Sequence, residues 1–160
     1  MDGPGISQEQ MDRLSGVSRT TRQNWAKAGL LGKQIAPFSL AVLREVVVLC
    51  DLRTHAVVQA EDAFRQLRPG LEAAVDRPPP IEAIVDLRTG RAAWITGDND
   101  IAAAARRGNA VQVVDVTRNL SMAQEGFELM TRAAAAPDDE VGARRRARAP
   151  RKRRSPDSPA

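Results

Sequence analysis

Residues 14–31 read LSGVSRTTRQNWAKAGLL, and the rest of the chain is understood from this stretch outward. Leu14 closes a short first helix. Gly16 supplies a turn, where a residue without Cβ takes a positive φ at no steric cost. Val17 is apolar and can plug the angle between two helices. Ser18 stands where an N-cap belongs, its hydroxyl facing a backbone N–H one turn on. A polar helix follows over 19–28, with Trp25 as its one large apolar residue, and Gly29 ends it. Leu30 and Leu31 return the chain to the core. A helix so polar, pinned by so few apolar side chains, presents a face to a partner.

The chemistry of that face points to nucleic acid. Arg19, Thr20, Thr21, Arg22, Gln23, Asn24 and Lys27 all donate hydrogen bonds, and no Asp or Glu occurs between Arg13 and Lys33. An ordinary solvated face mixes signs. Ser and Thr hydroxyls and a helix N-terminus suit phosphate, while Arg, Gln and Asn read base edges in the major groove. The candidate DNA contacts are Ser18, Arg19, Thr20, Thr21, Arg22, Gln23, Asn24, Lys27 and, in the loop beyond, Lys33.

Gly16, Val17, Ser18, Arg19, Thr21, Trp25, Gly29, Leu30 and Leu31 together resemble the DNA-binding domain of MerR-type transcriptional regulators and of excisionase-like winged-helix proteins. The resemblance is strong over 6–31 and weaker to about residue 68. It implies a recognition helix in the major groove and a winged helix-turn-helix. Arg22 stands where these families usually keep an aliphatic core residue, and Asn24 where an aromatic is common. The segment 32–38 takes the place of the wing.

At 160 residues the chain suits one domain or two small ones. One cysteine, Cys50, excludes an internal disulfide and a zinc finger. With no signal peptide and no apolar run of membrane-spanning length, a cytoplasmic, nucleoid-associated protein is expected, with no membrane partner. The net charge of +4 hides an asymmetry: eight of the 24 basic residues lie in 144–154, and residues 1–143 are acidic by three. Affinity for DNA has to come from a local patch, from the tail, or from both.

Ser7 with Gln10 forms a capping box for the first helix, and Ile6 is placed as its staple. Ser39 announces a buried helix over LAVLREVVVLCDLR, although its valines leave a buried strand conceivable. Thr54 reads as the cap of a helix over 55–68, with Val57, Val58, Ala60, Phe64 and Leu67 as its stripe. His55, without ligand-spaced companions, reads as a cap or surface residue. Pro69 and Gly70 break that helix, and 71–75 adds a turn.

The prolines of 76–80 read as a linker between a winged helix-turn-helix domain, 1–75, and a second module, 81–136. Beyond them the periodicity changes. IEAIVDL and RAAWIT read as strands around the turn 88–90, a short helix covers 101–107, and AVQVVDV is a third strand. This ββαβ unit has Ile84, Val85, Trp94, Ile95, Ile101, Val111, Val113, Val114 and Val116 as its expected core. Asp86, Asp98, Asp100 and Asp115 read as caps and turn formers rather than a metal cluster. Ser121 with Gln124 suggests a second capping box, opening a helix to about 136. Leu120, Ala123, Phe127, Met130 and Ala134 form a short heptad seam on it, suited to a dimer contact or to packing on the sheet. Residues 137–160 read as a disordered basic tail.

The expected fold class is α+β. The expected function is a DNA-binding transcriptional regulator, not an enzyme, without cofactor or metal, acting on double-stranded DNA as a homodimer. Two rivals share the N-terminal domain. One is an excisionase-like architectural factor. The other is an antitoxin-like regulator that binds a protein partner through 81–136.

Overall fold

Ser7 accepts a hydrogen bond from the Gln10 amide, and the Gln10 side chain accepts one from the Ser7 amide. This reciprocal box starts α1, Gln8–Ser15, by satisfying N–H groups that a helix leaves unpaired. The computed structural model describes residues 3–55, 57 and 59–135. Gly16 ends α1 at φ 68°, a conformation that penalises any Cβ. Val17 turns inward and is buried. Ser18 then caps α2, Arg19–Lys27, accepting from the Thr21 amide.

The segment 32–38 contains no strand, so the expected wing is not a hairpin here. Phe38 instead joins Ile6 in a single antiparallel bridge, with N–H···O distances of 2.9 Å in both directions. Pro37 has no N–H to extend a ladder. Ile6 and Phe38 are both buried, which closes the entry to α1 against the entry to the next helix, capped at Ser39.

Ser39 caps α3, Leu40–Thr54, the central helix. Leu43, Val46, Val47, Val48, Leu49 and Leu52 are buried around most of its circumference, as expected of a helix with neighbours on all sides. The next helix begins later than the sequence suggests. Thr54 is the last residue of α3, and its hydroxyl donates back to the Cys50 carbonyl at 2.8 Å instead of capping forward. Gln59 takes φ 55°, and α4, Ala60–Leu67, starts beyond it. Val57 is buried, while Val58 of the expected stripe lies outside the described residues. A 3-10 turn, Arg68–Gly70, leads into α5, Leu71–Val75.

Strands β1, Glu82–Asp86, β2, Ala92–Trp94, and β3, Val111–Asp115, form an antiparallel sheet in the order β2-β1-β3. Ala83 pairs with Trp94 on one side and Val114 on the other. Alternation therefore puts Ala83, Val85, Val114 and Trp94 on the inner face and Ile84, Ala93, Val111 and Val113 on the outer one. The expected core is corrected accordingly: Val113 is 42% exposed, Ile95, Ile101 and Val111 are half-buried, and Ala83 is fully buried. Helix α6, Asp98–Arg106, connects β2 to β3.

Helix α7, Thr117–Ala135, starts a turn before the expected Ser121 cap. The Asp115 carboxylate accepts from the Thr117 amide at 2.9 Å, and the Thr117 hydroxyl accepts from the Ile81 amide at 2.8 Å. These bonds tie the helix start to the end of the sheet. Leu120, Ala123 and Phe127 of the heptad seam are buried against the body of the same chain, with Met130 partly so, and Ala134 is exposed. Gly126 lies so close to α1 that a Cβ there would run into Leu14. One continuous core thus reaches from Ile6 to Phe127, and the proline segment 76–80 links stretches of chain that share it. The class is α+β, a helical layer on a three-stranded antiparallel sheet. The tail, 137–160, lies outside the described residues. Among the described residues no helix is long and apolar enough to cross a membrane.

Candidate functional site

Helix α2 is anchored by its fourth and seventh residues and is open elsewhere. Arg22 and Trp25, spaced by three, face the core, with Trp25 only 8% exposed. Ser18, Arg19, Thr20, Asn24 and Lys27 are exposed, and Thr21 and Gln23 are half-buried. Lys33 is exposed on the following loop. The Ser18 and Thr21 hydroxyls are 3.0 Å apart, so the cap is braced from both sides. The outward face of α2 is thus a set of donors around a pre-capped N-terminus.

Arg22 corrects the sequence reading. Its side chain is completely buried and has no surface to offer a ligand. It pairs with Asp12, donates to the Val17 carbonyl at 2.7 Å and to the Gln8 side chain at 2.8 Å. Its guanidinium lies 5.6 Å from the centre of the Phe38 ring. The Nε atom alone has no partner among the described residues. A guanidinium is favoured at such a site because its planar fork serves several acceptors at once. Its job is to lock α2 onto α1 and the intervening turn.

Arg53 is the residue that sequence reading missed. It belongs to α3, and its guanidinium lies 5.7 Å from the centre of the Trp25 ring and 2.9 Å from Glu61. With Cys50 and Thr54 it lines a shallow groove against Gly16, Ser18, Thr21 and Trp25. No local pattern brings α3 to this place; the packing of α3 on α1 and the shared core, Trp25 included, does.

Elsewhere the titratable groups serve the scaffold. His55 caps α3, its Nδ1 2.8 Å from the Asp51 carbonyl oxygen. Asp51 itself, 4% exposed, accepts from Asn119 of α7 at 2.6 Å, and its second oxygen has no partner among the described residues. Burial drives its carboxyl above the ordinary value, opposed by the Asn119 bond and the nearby His55. Asp86 accepts from the amides of Arg88 and Thr89 in the hairpin turn and from the Asn109 side chain. The Arg88 amide first, with Thr89 and Asn109, holds it below the usual carboxylate range. Asp100 is held low in the same way by the Thr96 amide and hydroxyl. Asp86, Asp100 and Asp115 are thus occupied by turns and a helix start. Among the described residues no group of three or more His, Cys, Asp or Glu is placed to hold a metal ion.

Compared with known proteins, the chain matches no protein-family model and no curated sequence.

Proposed function

We propose that this chain is a sequence-specific DNA-binding transcriptional regulator that inserts α2 into the major groove. The observation that carries the reading is the division of labour along α2. Arg22 is spent entirely inward, while Arg19, Thr20, Asn24 and Lys27 stand outward with no acid among them. A helix held by a buried ionic lock is rigid enough to present donors to base edges in one register. Arg19 suits guanine, and Asn24 and Gln23 suit adenine. Ser18, Thr20, Lys27 and Lys33 suit phosphates, together with the α2 N-terminus. The likeness of 6–31 to MerR-type and excisionase-like domains supports the same reading. Two copies on an inverted repeat, half-sites about one helical turn apart, complete the proposal. Such a protein works on the nucleoid.

The test is selection and sequencing of DNA bound from random genomic fragments, run at several salt concentrations. Full-length protein is compared with a chain ending at Ala135. Enrichment of one inverted repeat by both is the expected result, and Arg19→Ala should weaken that enrichment. Lys27→Gln should lower affinity on all sequences and flatten the salt dependence by about one unit of log–log slope. Binding only by the full-length chain, at low salt and without enrichment, would place affinity in the tail and overturn the role of α2. Enrichment with strong bending and no change in transcription would favour the architectural reading.

A further inference from the structure

The outer face of the sheet is only partly covered. Helix α6 connects β2 to β3, and residues of α6 and of this face together line an open cavity of about 400 Å³. That volume is within the range of small-molecule sites. Its floor is apolar: Ile84 and Ala93, paired in register on β1 and β2, with Val111 of β3 and Ala104 of α6. Gln66 of α4 walls one side, its amide bonded to the Gly90 carbonyl and the Ala92 N–H along the free edge of β2.

The rim is polar, and its charges are in different states. The carboxylates of Asp86 and Asp100 line the cavity but already accept hydrogen bonds from their own turns. Arg91 and Arg107 also line it, and neither forms an ion pair among the described residues. Arg107 uses only Nε, on the Ala103 carbonyl at 3.2 Å. The guanidinium ends that remain open are forks suited to a carboxylate or sulfonate. With Asp86 and Asp100 beside them the rim is close to neutral, so a small inorganic anion gains little from charge alone. A ligand needs an apolar body for the floor as well as an anionic group for the forks.

We propose that this cavity binds an amphipathic organic anion. Its apolar body rests on Ile84, Ala93, Ala104 and Val111, and its carboxylate or sulfonate meets Arg91 and Arg107. The site is on the sheet, apart from α2, and does not depend on the DNA-binding reading.

The test is titration of ¹⁵N-labelled full-length protein with octanoate, octanol and inorganic phosphate, read from amide chemical shifts. Octanoate up to about 3 mM should saturate shifts at Ala93, Ala104 and Val111, while octanol and phosphate at the same concentration should leave them largely unmoved. The Arg91→Gln/Arg107→Gln protein should bind octanoate about tenfold more weakly with an otherwise unchanged spectrum. Ala104→Met, which fills the floor without touching charge, should likewise weaken octanoate binding. No saturable octanoate shift at these residues would overturn the proposal. So would equal binding of octanol, which would mark a merely greasy surface, or undiminished binding by the double variant.

Discussion

The joint between α1 and α2 and the joint between α3 and α7 are closed by different chemistry. The first has a buried guanidinium at its centre, bonded to Asp12, Gln8 and the Val17 carbonyl. The second has Leu120, Ala123 and Phe127 at its centre, against apolar residues of the common core, with the Asp51–Asn119 and Arg44–Gln124 hydrogen bonds beside them. Apolar burial is strong and non-directional, so it holds a long helix without fixing it finely. Hydrogen bonds to a planar fork are directional, and α2, with Trp25 as its one large anchor, has little apolar area to hold it. The difference lies in what sits at the centre of each joint: a polar fork for the small exposed helix, and an apolar stripe, with polar bonds beside it, for the long one.

Substitutions can break this contrast at either end. Phe127→Ala should have the largest effect, about 3–5 kcal/mol from lost burial and a residual cavity. A single cooperative urea transition is expected for it, because the core is shared; loss of α7 alone at lower urea would show two independent units. Arg22→Ala should follow at about 2–3 kcal/mol, read in the same assay. Its partner Asp12 keeps 43% of its side chain exposed and can hydrate when freed, which holds the loss below that of a fully buried pair. Arg22→Met should regain at least half of that loss, since apolar volume replaces the fork without leaving it empty. Full recovery of both stability and the α2 amide spectrum would refute the directional role.

Smaller effects sharpen the comparison. Gly126→Val should cost about 1–2 kcal/mol through overpacking against Leu14, and it tests the contact of α1 with α7 directly. Ser18→Ala should cost about 1 kcal/mol, read as a lower thermal midpoint with faster amide exchange confined to the start of α2. The smallest change is in pH dependence. Asp51 is pushed above its ordinary value, so between that value and the raised one the folded chain binds more protons than the unfolded chain. Its contribution therefore falls as pH rises through this window. Asp86 and Asp100 are held low and act oppositely, losing their contribution as pH falls below the ordinary value. The thermal midpoint of Asp51→Asn relative to the parent should rise as pH is raised above the ordinary carboxylate value of about 4, and a constant difference would contradict the burial argument.

Much of the local structure was legible because its causes are local. The capping box at Ser7 and Gln10, the Ser18 and Ser39 caps, the positive φ at Gly16 and the hairpin around 88–90 depend on residues a few positions apart. Where local signals competed, the reading failed. Thr54 had a cap's chemistry but spends its hydroxyl on the preceding turn. Ser121 with Gln124 matched a capping box, yet Asp115 and Ile81 start the helix earlier by bonds that need the sheet in place. Within the candidate site, the outward set on α2 follows from helical periodicity, whereas Arg53 reaches it only through the tertiary packing that sets α3 beside Trp25.

The sequence by itself determined the alternation of helices and strands, the caps and turns that bound most of them, and the absence of acid along α2. These follow from backbone stereochemistry and from periodicity, both of which act within a few residues. Only the tertiary structure decided that Arg22 is interior, that the heptad seam of α7 is consumed by its own chain, and that one core spans the proline segment. Periodicity tells which face of an element seeks cover but not what covers it. Whether a charged side chain can be buried depends on acceptors such as Asp12, Gln8 and the Val17 carbonyl, which folding brings to it.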